Sequence, residues 1–422
     1  MLKLFHNLQQ RDWRVEIVRE ALERYNEQEV AIYGTGKHTE WLLGEIGQLV
    51  TKIACLLDRD ENVEGEGKFG LPICTVEEAM AAGIKAIIIS STFEEEIYER
   101  LQTVRQQEVE IIRLYSQEAM SKGKKSIITH IQMIARESKC YDFIDRRKGH
   151  CQLAVVLAGY KPYLWPFTLG RLAKYVPSNV DVCIVSSGLY SEELARWAER
   201  HQWSYLYTKI NDVSLAQNLA IAEHQDAEWI FKLDEDIFVT ERYFQQLRSG
   251  YERIIEEGVF HPGFVAPIIN LNGYTYVKFL KALELDQEYK QVFGELKYAA
   301  NGIKCHYDPE AARWIWRHSL PLEEVAQKIA SKPFDYSTVP HRFSIGAILF
   351  NREYWEQIGG FKIGTKEGML GGDEEDLCQK CVELSRVMCV VHNVFCGHFS
   401  FFLQEEGMKA FLEKHKELFM IR

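Results

Sequence analysis

Three groups of residues in this chain have the types and spacing to do chemistry. Asp234-Glu235-Asp236 follows the apolar run WIFKL directly, so two carboxylates at i and i+2 emerge where a buried strand ends. Such a pair can share a hard divalent cation, Mg2+ or Mn2+, with the oxygens of a diphosphate. Neutralising the charge on a leaving phosphate is where a cation helps group transfer most. The second group, Gly371-Gly372-Asp373-Glu374-Glu375-Asp376, leads into a helical pattern. Its carboxylates repel one another, and the free N–H groups and dipole of a helix start offset part of that repulsion. They read either as acidic capping or as a general base on a glycine-flanked edge, where a hydroxyl can approach and lose its proton. The third is His398 in Gly397-His398-Phe399. Its imidazole either packs structurally or completes a coordination begun by Asp236, a borderline donor set suited to Mn2+.

The elements that must position these groups form two series of alternating strands and helices, so the fold class is α/β. In the later series, strands at 153–157, 180–186, 204–207 and 229–233 alternate with helices at 165–175, 191–201 and 213–224. Ligands of an open α/β sheet sit at the carboxyl ends of its strands, which puts Asp234 and Asp236 in the crevice rather than in the core. In the earlier series, a strand at 29–33 enters Gly34-Thr35-Gly36, and a second strand at 52–58 ends on Asp58 at a dinucleotide-like spacing. Gly34 and Gly36 match the start of G-x-G-x-x-G, but Thr39 stands at the third position. A helix amino terminus there favours phosphate, and a purely structural or docking role is the alternative. The expected organisation is a helix and small α/β domain over 1–118, a helical linker over 119–149, a main domain over 150–403 and a final helix over 404–422. An inserted lobe over 260–341 carries many aromatics, among them Tyr274, Tyr276, Phe279, Tyr289, Tyr298, Trp314 and Trp316. They are expected to stack on sugar rings of an acceptor or to pack the lobe's own core.

Composition excludes several classes. With 46% hydrophobic and 26% charged residues among 422, the chain is globular, and a formal charge of −11 argues against nucleic acid as the main partner. The lysines within 122–125 read as a solvated linker. No apolar run approaches the ~18 residues that cross a bilayer, and residues 1–25 read as an amphipathic helix rather than a signal peptide, so the expected location is the cytoplasm. The 10 cysteines then read as reduced thiols. Cys378, Cys381, Cys389 and Cys396 have the types for zinc, but the apolar helical face around Leu377 and Leu384 favours buried thiols.

The order of motifs, DED after a strand, then FSIGAILFNREYWEQIGGF, GGDEEDLCQKCVEL and GHFS, resembles the GT-A glycosyltransferases of the family-2 type. Its carboxyl-terminal part is similar to the β-1,4-galactosyltransferase and chondroitin-synthase catalytic module. The stretches IYGTGKHTEWLL, CLLDRDENVEGEGKFGLPI and AIIISS resemble the small Rossmann-like domain of bacterial sugar acyltransferases. The resemblance implies an inverting, metal-dependent transfer of a sugar from a nucleotide-sugar, a UDP-sugar by family inference, to a hydroxyl of a glycan or glycoconjugate. It implies Asp236 as direct metal ligand with Asp234 and His398, and Mn2+ or Mg2+ as cofactor. Gly346, Gly359, Gly360 and Phe361 would line the donor and acceptor floor. Glu374 would be the base and Asp373 an acceptor contact, with Asp376 a further candidate. The pair is Asp-Glu where the family has Glu-Asp, and Ser186-Ser187-Gly188 stands where relatives place an acidic residue for uracil. Gln217-Asn218 replaces a frequent Arg-Asn, leaving Asn218 as a donor contact and Lys209, Lys232 or Arg342 to supply positive charge. The rival readings are a nucleotidyltransferase on a related fold and a non-catalytic carbohydrate-binding protein.

Overall fold

The computed structural model describes residues 1–58, 67–105 and 108–421, without the side chains of residues 103, 104 and 402. The central part of the CLLDRDENVEGEGKFGLPI stretch, 59–66, lies outside the described residues. Two compact units account for the chain: a smaller one, Asn7–Ile131, and a larger one, Met1–His6 with Gln132–Arg422.

The smaller unit is built on β1 (Val30–Tyr33), β2 (Ile53–Leu57), β3 (Ile73–Cys74), β4 (Ala86–Ile89) and β5 (Glu110–Ile112). All pair in parallel, in the order β3-β2-β1-β4-β5. Every residue of β1 and β4 is buried, as expected of strands covered on both faces. Val30 and Ile32 pack into one apolar cluster, Ala31 and Tyr33 into another. The order reverses beside β1, so a crevice opens where β1 and β4 end.

The larger unit is built on a ten-stranded mixed sheet with helices packed around it. Its strands are β6 (Tyr141–Ile144), β7 (Gln152–Leu157), β8 (Asp181–Ser186), β9 (Ser204–Thr208), β10 (Trp229–Asp234), β11 (Ile237–Phe238), β12 (Pro262–Ile269), β13 (Tyr336–Thr338), β14 (Ala347–Asn351) and β15 (Val387–His398). The order is β11-β15-β12-β14-β10-β7-β8-β9-β6, with β13 added to β15. β7 to β10 are parallel, and β14 runs antiparallel between β10 and β12. The buried strand expected before Asp234 is thus central to the sheet.

Two expected segments differ. Residues 119–149 are not a helical linker throughout: one helix, Gln117–Glu137, is followed by β6, an antiparallel edge strand on β9. The segment 260–341 is not wholly an insertion, because β12 pairs with both β14 and β15. Its aromatics answer to packing. Tyr276, Phe279, Tyr289 and Trp316 are almost completely buried, and of the seven named only Tyr298 is exposed. A broad stacking platform for sugar rings is therefore absent from these residues. At the chain's other end, Phe419 is buried against Phe238 and Trp316. No helix among the described residues is long and apolar enough to cross a membrane.

Candidate functional site

β10 ends at Asp234 against two partners, Leu157 of β7 and the turn before β14. The Asp234 N–H donates to the carbonyl of Gly346 at 2.8 Å, and a Cβ at Gly346 would stand 3.3 Å from the Asp234 carboxylate. The glycine lets β14 approach this closely. Two residues on, β11 pairs Ile237 with His398 and Phe238 with Gly397, and Phe399 N–H donates to the carbonyl of Asp236 at 3.0 Å. This short ladder brings together Asp236 and His398, which are far apart in sequence.

His398 Nε2 lies 3.3 Å from Asp236 Oδ2, and Nδ1 lies 3.0 Å from the carbonyl of Leu271. A carbonyl only accepts, so Nδ1 carries a proton and Nε2 is free to act toward Asp236. Asn270 steadies the arrangement by accepting from the His398 N–H at 2.8 Å. The third member, Lys161, was not anticipated: its Nζ sits 2.5 Å from the same Asp236 oxygen. Burial opposes charge on Asp236, but His398 and Lys161 outweigh it and hold the carboxyl well below the usual range. Lys161 follows Gly159-Tyr160 at the end of β7, and Glu235 holds that turn by accepting from the N–H groups of Gly159 and Tyr160 and from Trp165 Nε1. The middle carboxylate of the DED thus shapes the loop.

Asp234 pairs with Lys232, Nζ to Oδ1 at 2.6 Å. Burial, followed by the opposing pull of Lys232 and the repulsion of Asp236 and Asp373, leaves its pKa raised. Each terminal carboxylate of the DED therefore has its own lysine. Lys161 Nζ and His398 Nε2 thus both approach one oxygen of Asp236, the ammonium more closely. The described residues contain no group of three or more His, Cys, Asp or Glu side chains able to hold a metal. Expected ligand Asp234 faces Lys232 instead of joining the pair.

The acidic group opens the helix Gly372–Glu383, and its members diverge. Glu374 Oε1 lies 3.1 Å from Arg342 Nε, and burial raises its pKa against the pull of Arg342. Asp376 lies 3.8 Å from Lys362. Asp373 is 9% exposed and has neither a hydrogen bond nor an ion pair among the described residues. It lines a cavity of about 420 Å3 together with His6, Asp212, Lys362 and Asp376.

Asn218, expected at the donor, is a structural residue. Its Nδ2 donates to the Phe361 carbonyl at 2.7 Å, and its Oδ1 accepts from Phe361 N–H at 2.8 Å and Trp355 Nε1 at 3.2 Å. These bonds use the side chain on the Gly360-Phe361 turn, where a Cβ at Gly360 would stand 2.7 Å from Asn218. Of the expected cations, Lys232 and Arg342 join the site. Lys209 instead donates to the carbonyl of Lys139 at 2.7 Å. The four suspect cysteines are buried and free, and burial pushes the Cys378 thiol up to about 11 and that of Cys381 up to about 12.

In the smaller unit, a cavity of about 530 Å3 at the strand ends is lined by Gly34, Thr35, Gly36, Asp58, Ser90 and Arg100. Gly34 adopts φ +125°, and a Cβ there would stand 2.8 Å from the Ser90 carbonyl. Thr39, at the third fingerprint position, is buried and donates to the Gly34 carbonyl at 3.0 Å. Thr35 donates to Asp58, so the acid at the end of β2 holds the glycine loop.

Residues 26–112 match the family described as C2185-like, N-terminal. No curated protein matches the chain. Among solved structures, the mannosyltransferase PcManGT from Pyrobaculum calidifontis, in complex with GDP-Man and Mn2+, is 14% identical with a TM-score of 0.35, covering 67% of this chain and 68% of its own. The galactosyltransferase LgtC, in complex with donor and acceptor sugar analogs, is 12% identical with a TM-score of 0.30, covering 64% of this chain and 98% of its own.

Proposed function

We propose that the larger unit transfers a sugar from a nucleotide-sugar donor to a hydroxyl acceptor, with inversion at the anomeric carbon. The observation that carries this reading is the meeting of Asp236, His398 and Lys161 at the carboxyl end of the parallel strands β7 and β10, in a unit that also presents the unpaired acid Asp373 and Glu374 held by Arg342. A cation centre next to a carboxylate that can take a proton is what a single displacement needs: one stabilises the leaving diphosphate and the other activates the incoming hydroxyl.

Asp236 and His398 would hold a divalent cation, Mn2+ or Mg2+, with Asp234 within reach only after release from Lys232. The bound cation would neutralise the departing diphosphate. Lys161 and Lys232 supply ammonium groups for the same phosphates. Asp373 is assigned as the base and Glu374 as the carboxylate that Arg342 holds beside it. This reverses the order implied by the sequence resemblance, because Asp373 is buried, unpaired and in the cavity wall. The proton passes from the acceptor hydroxyl to an Asp373 oxygen as the hydroxyl oxygen bonds to the anomeric carbon and the diphosphate leaves. UDP is the donor nucleotide we assign, and Gly34 and Gly36 of the smaller unit are assigned to a nucleotide or nucleotide-sugar by their helix amino terminus.

Incubation with a panel of nucleotide sugars, with analysis of what is released and of the product's anomeric configuration, tests the reading. Free nucleoside diphosphate and an inverted product are expected. Release of pyrophosphate would assign the chain to nucleotidyl transfer, and a retained configuration would overturn the single displacement. Binding of sugars without turnover, insensitive to loss of Asp236, would leave a carbohydrate-binding protein.

A further inference from the structure

The cavity beside Asp373 is unusually one-sided in charge, and this bears on what it accepts. Its wall contains the carboxylates of Asp212, Asp373, Glu375 and Asp376 against one ammonium, that of Lys362. Two of the four have structural partners: Asp212 accepts from Leu215 N–H at 2.7 Å and Gly364 N–H at 2.9 Å, and Asp376 lies near Lys362. Asp373 has none among the described residues, although it is nine-tenths buried. Its oxygens are not among the fully enclosed atoms, so they face the cavity with open acceptor positions that a ligand's donors can take in place of water. His6 closes part of the wall, anchored through Nδ1 at 2.8 Å from the carbonyl of Ile363. The volume, about 420 Å3, is within the ~300–1,000 Å3 typical of small-molecule sites.

We infer that this cavity receives the accepting sugar and selects uncharged or amine-bearing rings, turning away rings that carry a carboxylate, phosphate or sulphate. The inference rests on the transferase reading and adds the charge class of the acceptor. Hydroxyl and ammonium groups can donate to Asp373, whereas an anionic substituent would meet like charge from Glu375 and Asp376 in a partly enclosed space.

Ligand-observed NMR titration of the full chain with methyl glycosides tests it. The probes are glucose, galactose and mannose, each with its 2-amino and its uronic-acid counterpart. At least one neutral ring and its amino counterpart are expected to bind, with the matching uronate about tenfold weaker or worse. Glu375→Lys should narrow that gap, as should raised salt. Asp373→Asn, nearly isosteric, should weaken the neutral ring about tenfold by loss of a charged hydrogen bond. A uronate that binds as well as its neutral partner, or a neutral ring indifferent to Asp373→Asn, would overturn the inference. Absence of all ring binding by a chain that consumes a nucleotide sugar would remove the cavity from acceptor recognition and leave the transferase reading standing. Ring selection as expected, in a chain that consumes no nucleotide sugar, would be the failure of the transferase reading alone.

Discussion

Both units end a set of parallel strands in a polar crevice, and the two crevices are furnished differently. In the smaller unit the loop after β1 is held by hydrogen bonds, Thr39 to the Gly34 carbonyl, Thr35 to Asp58, and His38 Nδ1 at 2.9 Å from Ser90 Oγ. In the larger unit the corresponding strand ends carry Lys161, Lys232, Asp234 and Asp236 in two close ion pairs, with His398 on the second. A sheet end by itself makes a place for a ligand. Chemistry needs charges that a substrate can exchange for its own, and in the larger unit these are gathered into buried, directly paired carboxylates and ammonium groups.

The comparison breaks most easily at Asp236. Asp236→Asn keeps the shape of the side chain and removes its charge from Lys161 and His398. A fall in donor turnover of about 10³-fold or more is expected, since a cation at a leaving phosphate is worth several kcal/mol. Next comes Asp373→Asn, expected to lower the rate of transfer by about 10²- to 10⁴-fold. Glu374→Gln should cost less, because Arg342 already occupies that carboxylate. Equal losses in steady-state assays of the two variants would argue for a shared role.

Lys161→Met sharpens the comparison from the cation side. If the ammonium stands where a divalent cation binds, its removal should tighten Mn2+ binding to the donor-free protein about tenfold, read by electron paramagnetic resonance. The smallest effect on chemistry is expected in the other crevice. Gly34→Val forces a β-branched residue to φ +125° and toward the Ser90 carbonyl. It should destabilise the smaller unit by about 1–3 kcal/mol in thermal unfolding, while donor hydrolysis changes less than about twofold.

Much of this was legible in the sequence because periodicity reports burial. The apolar WIFKL announced a central strand, and whatever followed it had to lie at the sheet's end. The same logic applies to LAVVLAGYK, in which Lys161 follows β7 through a glycine turn. That signal was available, but a lone lysine carries no motif, and its pairing with Asp236 depends on the fold. Asn218 was misread for the opposite reason: its motif position suggested a ligand contact, whereas three hydrogen bonds commit it to the Gly360-Phe361 turn. The edge strand Tyr141–Ile144 was missed because four residues beside a charged helix show too little alternation to stand out. The aromatics of 260–341 could be assigned to packing only once β12 was seen between β14 and β15. Periodicity finds faces, and long-range pairing decides what each face meets.

If the charged crevice of the larger unit turns over a nucleotide sugar, Asp236 is the residue on which turnover depends. The most direct test is release of nucleoside diphosphate from a donor panel with Mn2+, with Mg2+ and with EDTA, comparing wild type and Asp236→Asn. One donor is expected to be consumed with added cation, and both EDTA and the substitution are expected to abolish its consumption. Turnover that survives Asp236→Asn undiminished would contradict that dependence.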